Sequence, residues 1–192
     1  MKLKFFKLFL PVGGVILITI DIIGFNGSPV FNKTDGRGQL VSSFSEEPVK
    51  VDNQLLTEKN GPSKNPPERI IIPGVGIDLP VKEAKVVNGY WEVFPTGAGW
   101  GIGSGYPGEK GNQVIFSHAR KGMFLPLRQV RKEDNVYVLT RDKWYIYKIT
   151  DIKGVLPSQI EVVAPTPDET LTLFTCTGYG DSKRLIVIAK KV

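Results

Sequence analysis

Residues 170–189 read TLTLFTCTGYGDSKRLIVIA. An alternating apolar run ends at Cys176, the only cysteine of the chain. A polar loop with two glycines follows, and Arg184 opens a second apolar run. Two such runs separated by a short turn-rich segment predict neighbouring β-strands. Strand alternation puts Thr170, Thr172, Phe174 and Cys176 on one face and Leu171, Leu173 and Thr175 on the other. With Leu171 and Leu173 toward the core, Cys176 points outward into a groove. The bland reading of a free cysteine is a small buried filler; the open loop over residues 177–180 argues for exposure instead. If the two strands pair, the Arg184 guanidinium projects over the thiol. A permanently charged, rigid fork suits an oxyanion or a substrate carbonyl. Its bland reading is a solvated strand-edge arginine, the role expected of the adjacent Lys183.

Working outward, the only histidine, His118, ends another apolar run over residues 112–119, beside Arg120, Lys121 and Gly122. A lone histidine at a strand end ordinarily makes one local hydrogen bond and nothing more. Its exclusivity matters here: if Cys176 needs an imidazole as acid and base, no other exists. A thiol, an imidazole and a guanidinium, each at a strand edge, are the parts of a nucleophilic acyl-transfer site.

The remaining runs are short and alternating. Residues 69–72 form a strand stopped by Pro73-Gly74. Residues 79–87 and 90–94 surround Asn88-Gly89, a two-residue hairpin signal. Residues 95–111 are dense in glycine and are expected to be a long loop without regular structure. A strand over residues 112–118 is followed by one short helical segment near residues 124–130. Residues 136–140 and 144–150 flank the Arg141-Asp142-Lys143 turn. The second of these continues through Ile152 and Val155, with Tyr145, Tyr147 and Ile149 on one face. About eight short strands with few helices predict a mainly β domain closed into a barrel.

The N-terminal third is different. Lys2, Lys4 and Lys7 precede an apolar stretch from residue 8 to residue 25, broken by Asp21 and softened by Pro11, Gly13 and Gly14. A basic tip followed by a hydrophobic segment directs a chain to the membrane. Counted from residue 5 the segment reaches the roughly 20 residues of a transmembrane helix. No small-x-small cleavage site follows, so an uncleaved anchor over residues 1–25 is expected rather than a removed signal peptide. Basic residues ahead of the span place the body outside the cytoplasm, as a single-pass cell-membrane protein. Residues 26–68 lose all periodicity and read as a flexible stalk, leaving residues 69–192 as the folded domain. A lone thiol outside the cytoplasm has no internal disulfide partner, which calls for burial or use.

Composition narrows the function classes. The 192 residues are 41% hydrophobic and 23% charged, with net charge +6. The basic residues are scattered and accompany no nucleic-acid motif, so nucleic acid is not an expected partner. Asp168-Glu169 and Glu133-Asp134 are isolated pairs that read as turn and cap residues. Neither a metal nor another cofactor is expected.

Thr172-Leu173-Phe174-Thr175-Cys176 resembles the sortase signature Thr-Leu-x-Thr-Cys. The segment from Gly111-Asn112 to His118 resembles that family's Gly-Asn-x-(apolar)-x-x-x-His, and Arg184 stands where its arginine opens the next strand. The resemblance covers about residues 69–192 and implies an eight-stranded sortase-like barrel carrying one or two short helices. It implies a cysteine transpeptidase that cleaves a Leu-Pro-x-Thr-Gly-like sorting signal of surface proteins and joins the acyl group to an amine of the cell wall or a pilin. By that analogy Cys176 is the nucleophile, His118 the general acid and then base, and Arg184 the oxyanion or substrate clamp. Thr175 would support the oxyanion site.

With reference pKa values near 8.5 and 6.5, the thiolate is about 3% and the imidazolium about a quarter populated at pH 7. Independent titration then leaves both active forms in under roughly 1% of molecules, a slow enzyme with a bell-shaped pH profile. Two readings stand beside this one. An L,D-transpeptidase would carry arginine close behind cysteine in a Gly-Cys-x-Arg context, a pattern missing around Cys176. A membrane-tethered β-barrel binding module would use Cys176 and His118 structurally, and Cys176→Ala would then preserve ligand binding.

Overall fold

The computed structural model describes residues 50–51 and 65–192. The expected anchor and nearly all of the stalk lie outside the described residues. No helix among the described residues is long and apolar enough to cross a membrane.

Period-two patterning does most of the organising. In β1 (Arg69–Ile72), Ile70 and Ile72 are buried while Arg69 is exposed, and β2 (Ile77–Ala84) alternates in the same way. The Asn88-Gly89 pair makes its hairpin between β3 (Val86–Val87) and β4 (Tyr90–Trp91), with φ of 53° and 81°. Both values lie in the left-handed region that a two-residue turn requires and that Asn and Gly tolerate. The hairpin is a separate two-stranded sheet, because the run expected over residues 79–87 breaks after Ala84.

The stretch expected to be structureless contains β5 (Ala98–Gly101), which pairs parallel with β2 and antiparallel with β6 (Gly111–Phe116). The expectation of a plain loop over residues 95–111 is therefore corrected. Glycine has poor strand propensity, but here it is selected by close packing. A Cβ on Gly101 would overlap the Trp91 indole, and one on Gly99 would come within 3.0 Å of the Phe116 ring.

The chain continues through β7 (Asn135–Leu139), β8 (Trp144–Val155), β9 (Glu169–Thr177) and β10 (Lys183–Lys191). Eight strands close a barrel in the order β1-β2-β5-β6-β9-β10-β8-β7. Among the described residues the helical content is four short 3-10 turns, where one or two helices were expected: Pro73–Val75, Leu125–Gln129, Ile160–Val163 and Tyr179–Asp181. Closure leaves the barrel no free edge for aberrant pairing.

Two apolar clusters lie on opposite sides of this sheet. Trp100, Ile115, Tyr147, Leu171, Leu173 and Val187 belong to the barrel interior. Trp91, Val114, Phe116, Phe174 and Ile186 form the second cluster on the outer side of β6, β9 and β10. There Trp91 stacks on Phe116 at 5.8 Å between centroids, and Phe116 meets Phe174 edge-on at 6.5 Å. The outward face of β9 is consequently covered too, with Thr172 at 1% and Phe174 at 8% exposure. Only at Cys176, half-buried, does that face open.

Candidate active site

The site lies at the end of β9. The β9–β10 ladder pairs Arg184 directly with Cys176. The turn that returns the chain so tightly has Gly180 and Asp181 at φ of 58° and 57°. Asp181 tolerates this region better than most side chains. Arg184 is only 4% exposed, and its Nη1 donates to the carbonyls of Asp181, at 2.7 Å, and Lys183, at 3.2 Å. One nitrogen of the fork is thus spent on fixing the turn, while Nε and Nη2 donate to no other side chain or carbonyl among the described residues.

The histidine arrives from the opposite neighbour. Strands β6 and β9 run parallel with Phe116 opposite Phe174. The strand itself ends at Phe116, short of the expected residue 118. Two further bonds carry the pairing onward: Ser117 N donates to the Phe174 carbonyl at 3.3 Å, and Thr175 Oγ1 donates to the Ser117 carbonyl at 2.7 Å. These bonds bring the chain just before His118 alongside the chain just before Cys176. The Ser117 hydroxyl donates to the Gly97 carbonyl at 2.6 Å, and the His118 carbonyl accepts from Arg120 N at 2.9 Å and Phe124 N at 3.0 Å. His118 is half-buried within this braced turn.

Thr175 is 1% exposed and its hydroxyl is already donated to Ser117. In the structure it is a tie between the His118 and Cys176 segments.

Electrostatics at the thiol are contested. Burial pushes the Cys176 thiol above its ordinary range, and Asp181 adds to that push. Arg184 and, more weakly, Arg128 pull it back down. Desolvation outweighs the pull of the two guanidinium groups. Arg128, on the Leu125–Gln129 turn, also donates Nη2 to the Cys176 carbonyl at 3.3 Å. Nothing in the sequence separates Arg128 from neighbours such as Arg120 and Arg131, since only the turn places it here.

A cleft of about 300 Å³ opens beside Arg184. Its walls are Phe174 of β9, Val155 of β8, and residues 156–160, 162 and 163 of the connection between β8 and β9. Asn112 explains why that connection stands where it does. Buried at 2% exposure, its Nδ2 donates to the carbonyls of Val162 at 3.1 Å and Ala164 at 3.0 Å. Its Oδ1 accepts from Thr172 Oγ1 at 2.7 Å. An amide with both ends engaged holds the cleft wall to β6 and β9 together, which gives the Gly-Asn of the sequence motif a physical role. Among the described residues no group of three or more His, Cys, Asp or Glu side chains could hold a metal ion.

Comparison with known proteins follows the same outline. The family model of the sortase domain matches residues 70–192. Sortase A of Streptococcus agalactiae is 35% identical over 129 residues, which are 63% of this chain and 51% of that protein. The chain thus spans about half the length of that curated relative. Among solved structures, sortase A of Corynebacterium diphtheriae superposes with a TM-score of 0.59 at 28% identity, covering 74% of this chain and 75% of that one. Sortase C-1 of Actinomyces oris gives 0.56 at 30% identity, covering 65% and 72%.

Proposed function

The chain belongs to the sortase family, and on that premise we propose that it is a membrane-anchored cysteine transpeptidase. Its substrates are surface proteins ending in a Leu-Pro-x-Thr-Gly-like sorting signal, and its acyl acceptor is an amine of the cell wall or a pilin. The observation that carries this reading is the register. Cys176 has Arg184 directly across one ladder, and on its other side the β6–β9 pairing, prolonged by the Ser117–Phe174 and Thr175–Ser117 bonds, reaches the residue before His118.

The chemistry divides into two halves. The Cys176 thiolate attacks the threonine carbonyl carbon, and the oxyanion that forms is met by Nε and Nη2 of Arg184. Collapse breaks the Thr–Gly bond, the His118 imidazolium gives its proton to the departing amine, and a thioester remains on Sγ. An incoming amine then attacks the thioester, gives a proton to His118, and releases Cys176 as thiolate with a new amide bond formed. Protons and bonds balance without a cofactor. The cleft along Phe174 receives the sorting segment, and Thr175 acts by holding His118 beside Cys176. Residues 1–25 anchor the chain, residues 26–68 are the stalk except where Lys50 and Val51 lie against the β3–β4 hairpin, and the barrel faces away from the cytoplasm.

The test is incubation of the chain with Leu-Pro-x-Thr-Gly peptides and an amine acceptor. Expected are transpeptidation and an acyl-enzyme on Cys176 detected by intact mass, both abolished by Cys176→Ala with the fold retained. If no peptide is cut and no adduct forms, the reading fails in favour of a non-catalytic binding module.

A further inference from the structure

The cleft is apolar along most of its length, and the two charged residues that line it, Arg184 and Lys50, are both cations. No carboxylate lines it among the described residues. Lys50 comes from far upstream in sequence and is brought here by backbone pairing. Residues 50–51 lie against the β3–β4 hairpin: Lys50 bridges to Tyr90, and Val51 N donates to the Gly89 carbonyl at 2.8 Å. Val51, 6% exposed, anchors the segment in the outer apolar cluster. Lys50 itself is exposed, and no ion pair among the described residues engages it. Arg184 also pairs with Cys176, and beside that thiol, outside the cleft lining, lie a further cation, Arg128, and an acidic group, Asp181.

Unbalanced charge of one sign beside low-dielectric walls focuses a field into a cleft, and an anionic group entering it gains what a cationic one loses. The ammonium of an exposed lysine, on a flexible stem, suits a point-charge contact with a carboxylate. We propose that Lys50 is a specificity-determining residue that favours an acidic side chain close to the cleaved bond of the sorting segment. This rests on the sortase reading and adds to it a preference that Lys50, outside the family motifs, supplies.

The experiment compares kcat/KM of the full chain for three peptides differing at one position, Leu-Pro-Glu-Thr-Gly, Leu-Pro-Gln-Thr-Gly and Leu-Pro-Lys-Thr-Gly, with a second set carrying the substituted residue just before the leucine. In at least one set the order Glu, Gln, Lys is expected, with the Glu-to-Gln ratio falling about two- to five-fold in Lys50→Ala, the range of an exposed ion pair. Lys50→Glu should reverse the order, and added salt should compress the wild-type spread. Equal rates for all peptides in wild type overturn the inference, as does a preference that survives Lys50→Glu; either leaves the transpeptidase reading standing. Cleavage of none of the peptides, with no acyl-enzyme, sinks the sortase reading and the Lys50 inference with it.

Discussion

Thr175→Val tests how the two side chains proposed to react, Cys176 and His118, are held together. Valine matches threonine in shape, so the substitution removes only the donor of the 2.7 Å bond to the Ser117 carbonyl. That bond is buried: Thr175 is 1% exposed and Ser117 7%. Losing a buried hydrogen bond and leaving its acceptor unmet costs about 1–3 kcal/mol. Chemical denaturation of the wild type and the variant should show that loss with an unchanged m-value. The kinetic effect follows from position, because the bond joins the residue before His118 to the residue before Cys176. A displacement of about 1 Å between reacting groups can cost on the order of a hundred-fold in rate, so kcat should fall by about ten-fold or more. KM should change little, since Thr175 faces away from the cleft. Thr175→Ser keeps the hydroxyl and should restore most of the rate. If Thr175→Val loses activity with full stability, the hydroxyl acts on the oxyanion and the positioning argument is refuted. If neither stability nor kcat changes, the bond holds nothing.

Other outcomes follow from the same geometry. Because burial raises the Cys176 thiol and Arg184 opposes it, the rate of iodoacetamide labelling should rise with pH through a midpoint above that of an ordinary cysteine. Arg184→Gln should move it higher still, and Asp181→Asn lower; a wild-type midpoint at or below the ordinary range contradicts the desolvation argument. The sign for stability is the same: a raised folded-state pKa favours folding at neutral pH, and that contribution fades as pH climbs through the folded value. In kcat/KM the alkaline limb of a bell-shaped profile should carry this raised pKa, and a flat profile between about pH 6 and 8 would count against the acid–base pair. Gly101→Ala drives a methyl into the Trp91 indole and should destabilise by about 1–3 kcal/mol in urea denaturation. Asn112→Ala frees the carbonyls of Val162 and Ala164 and should raise KM for peptide more than it lowers kcat, because it loosens the cleft wall; equal KM would show that the wall stands without it.

How much of this was legible in the chain varies by element. The β9–β10 pair was readable because period two and a short polar turn leave few alternatives: Leu171 and Leu173 went inward and Arg184 fell opposite Cys176, as alternation required. The Asn88-Gly89 hairpin was equally plain, since its signal is local. Strand β5 was not, because glycine advertises a loop and the reason for Gly99 and Gly101 lies in the rings of Phe116 and Trp91, distant in sequence. The cleft had the same defect. Arg128 and Lys50 are ordinary basic residues until a 3-10 turn carries the one to the Cys176 carbonyl and a backbone bridge carries the other to the cleft.

By itself, then, the sequence determined the strand runs, the uniqueness of Cys176 and His118, and the motif that names the family, all of which are local patterns along one chain. The tertiary structure alone decided the parallel β6–β9 pairing that brings the strand end before His118 beside the strand that ends in Cys176. It also decided the second apolar layer outside the barrel, the desolvation that lifts the thiol, and the cations at the cleft. Each of these depends on contacts between residues far apart in sequence, and periodicity carries no information about which distant surfaces will meet.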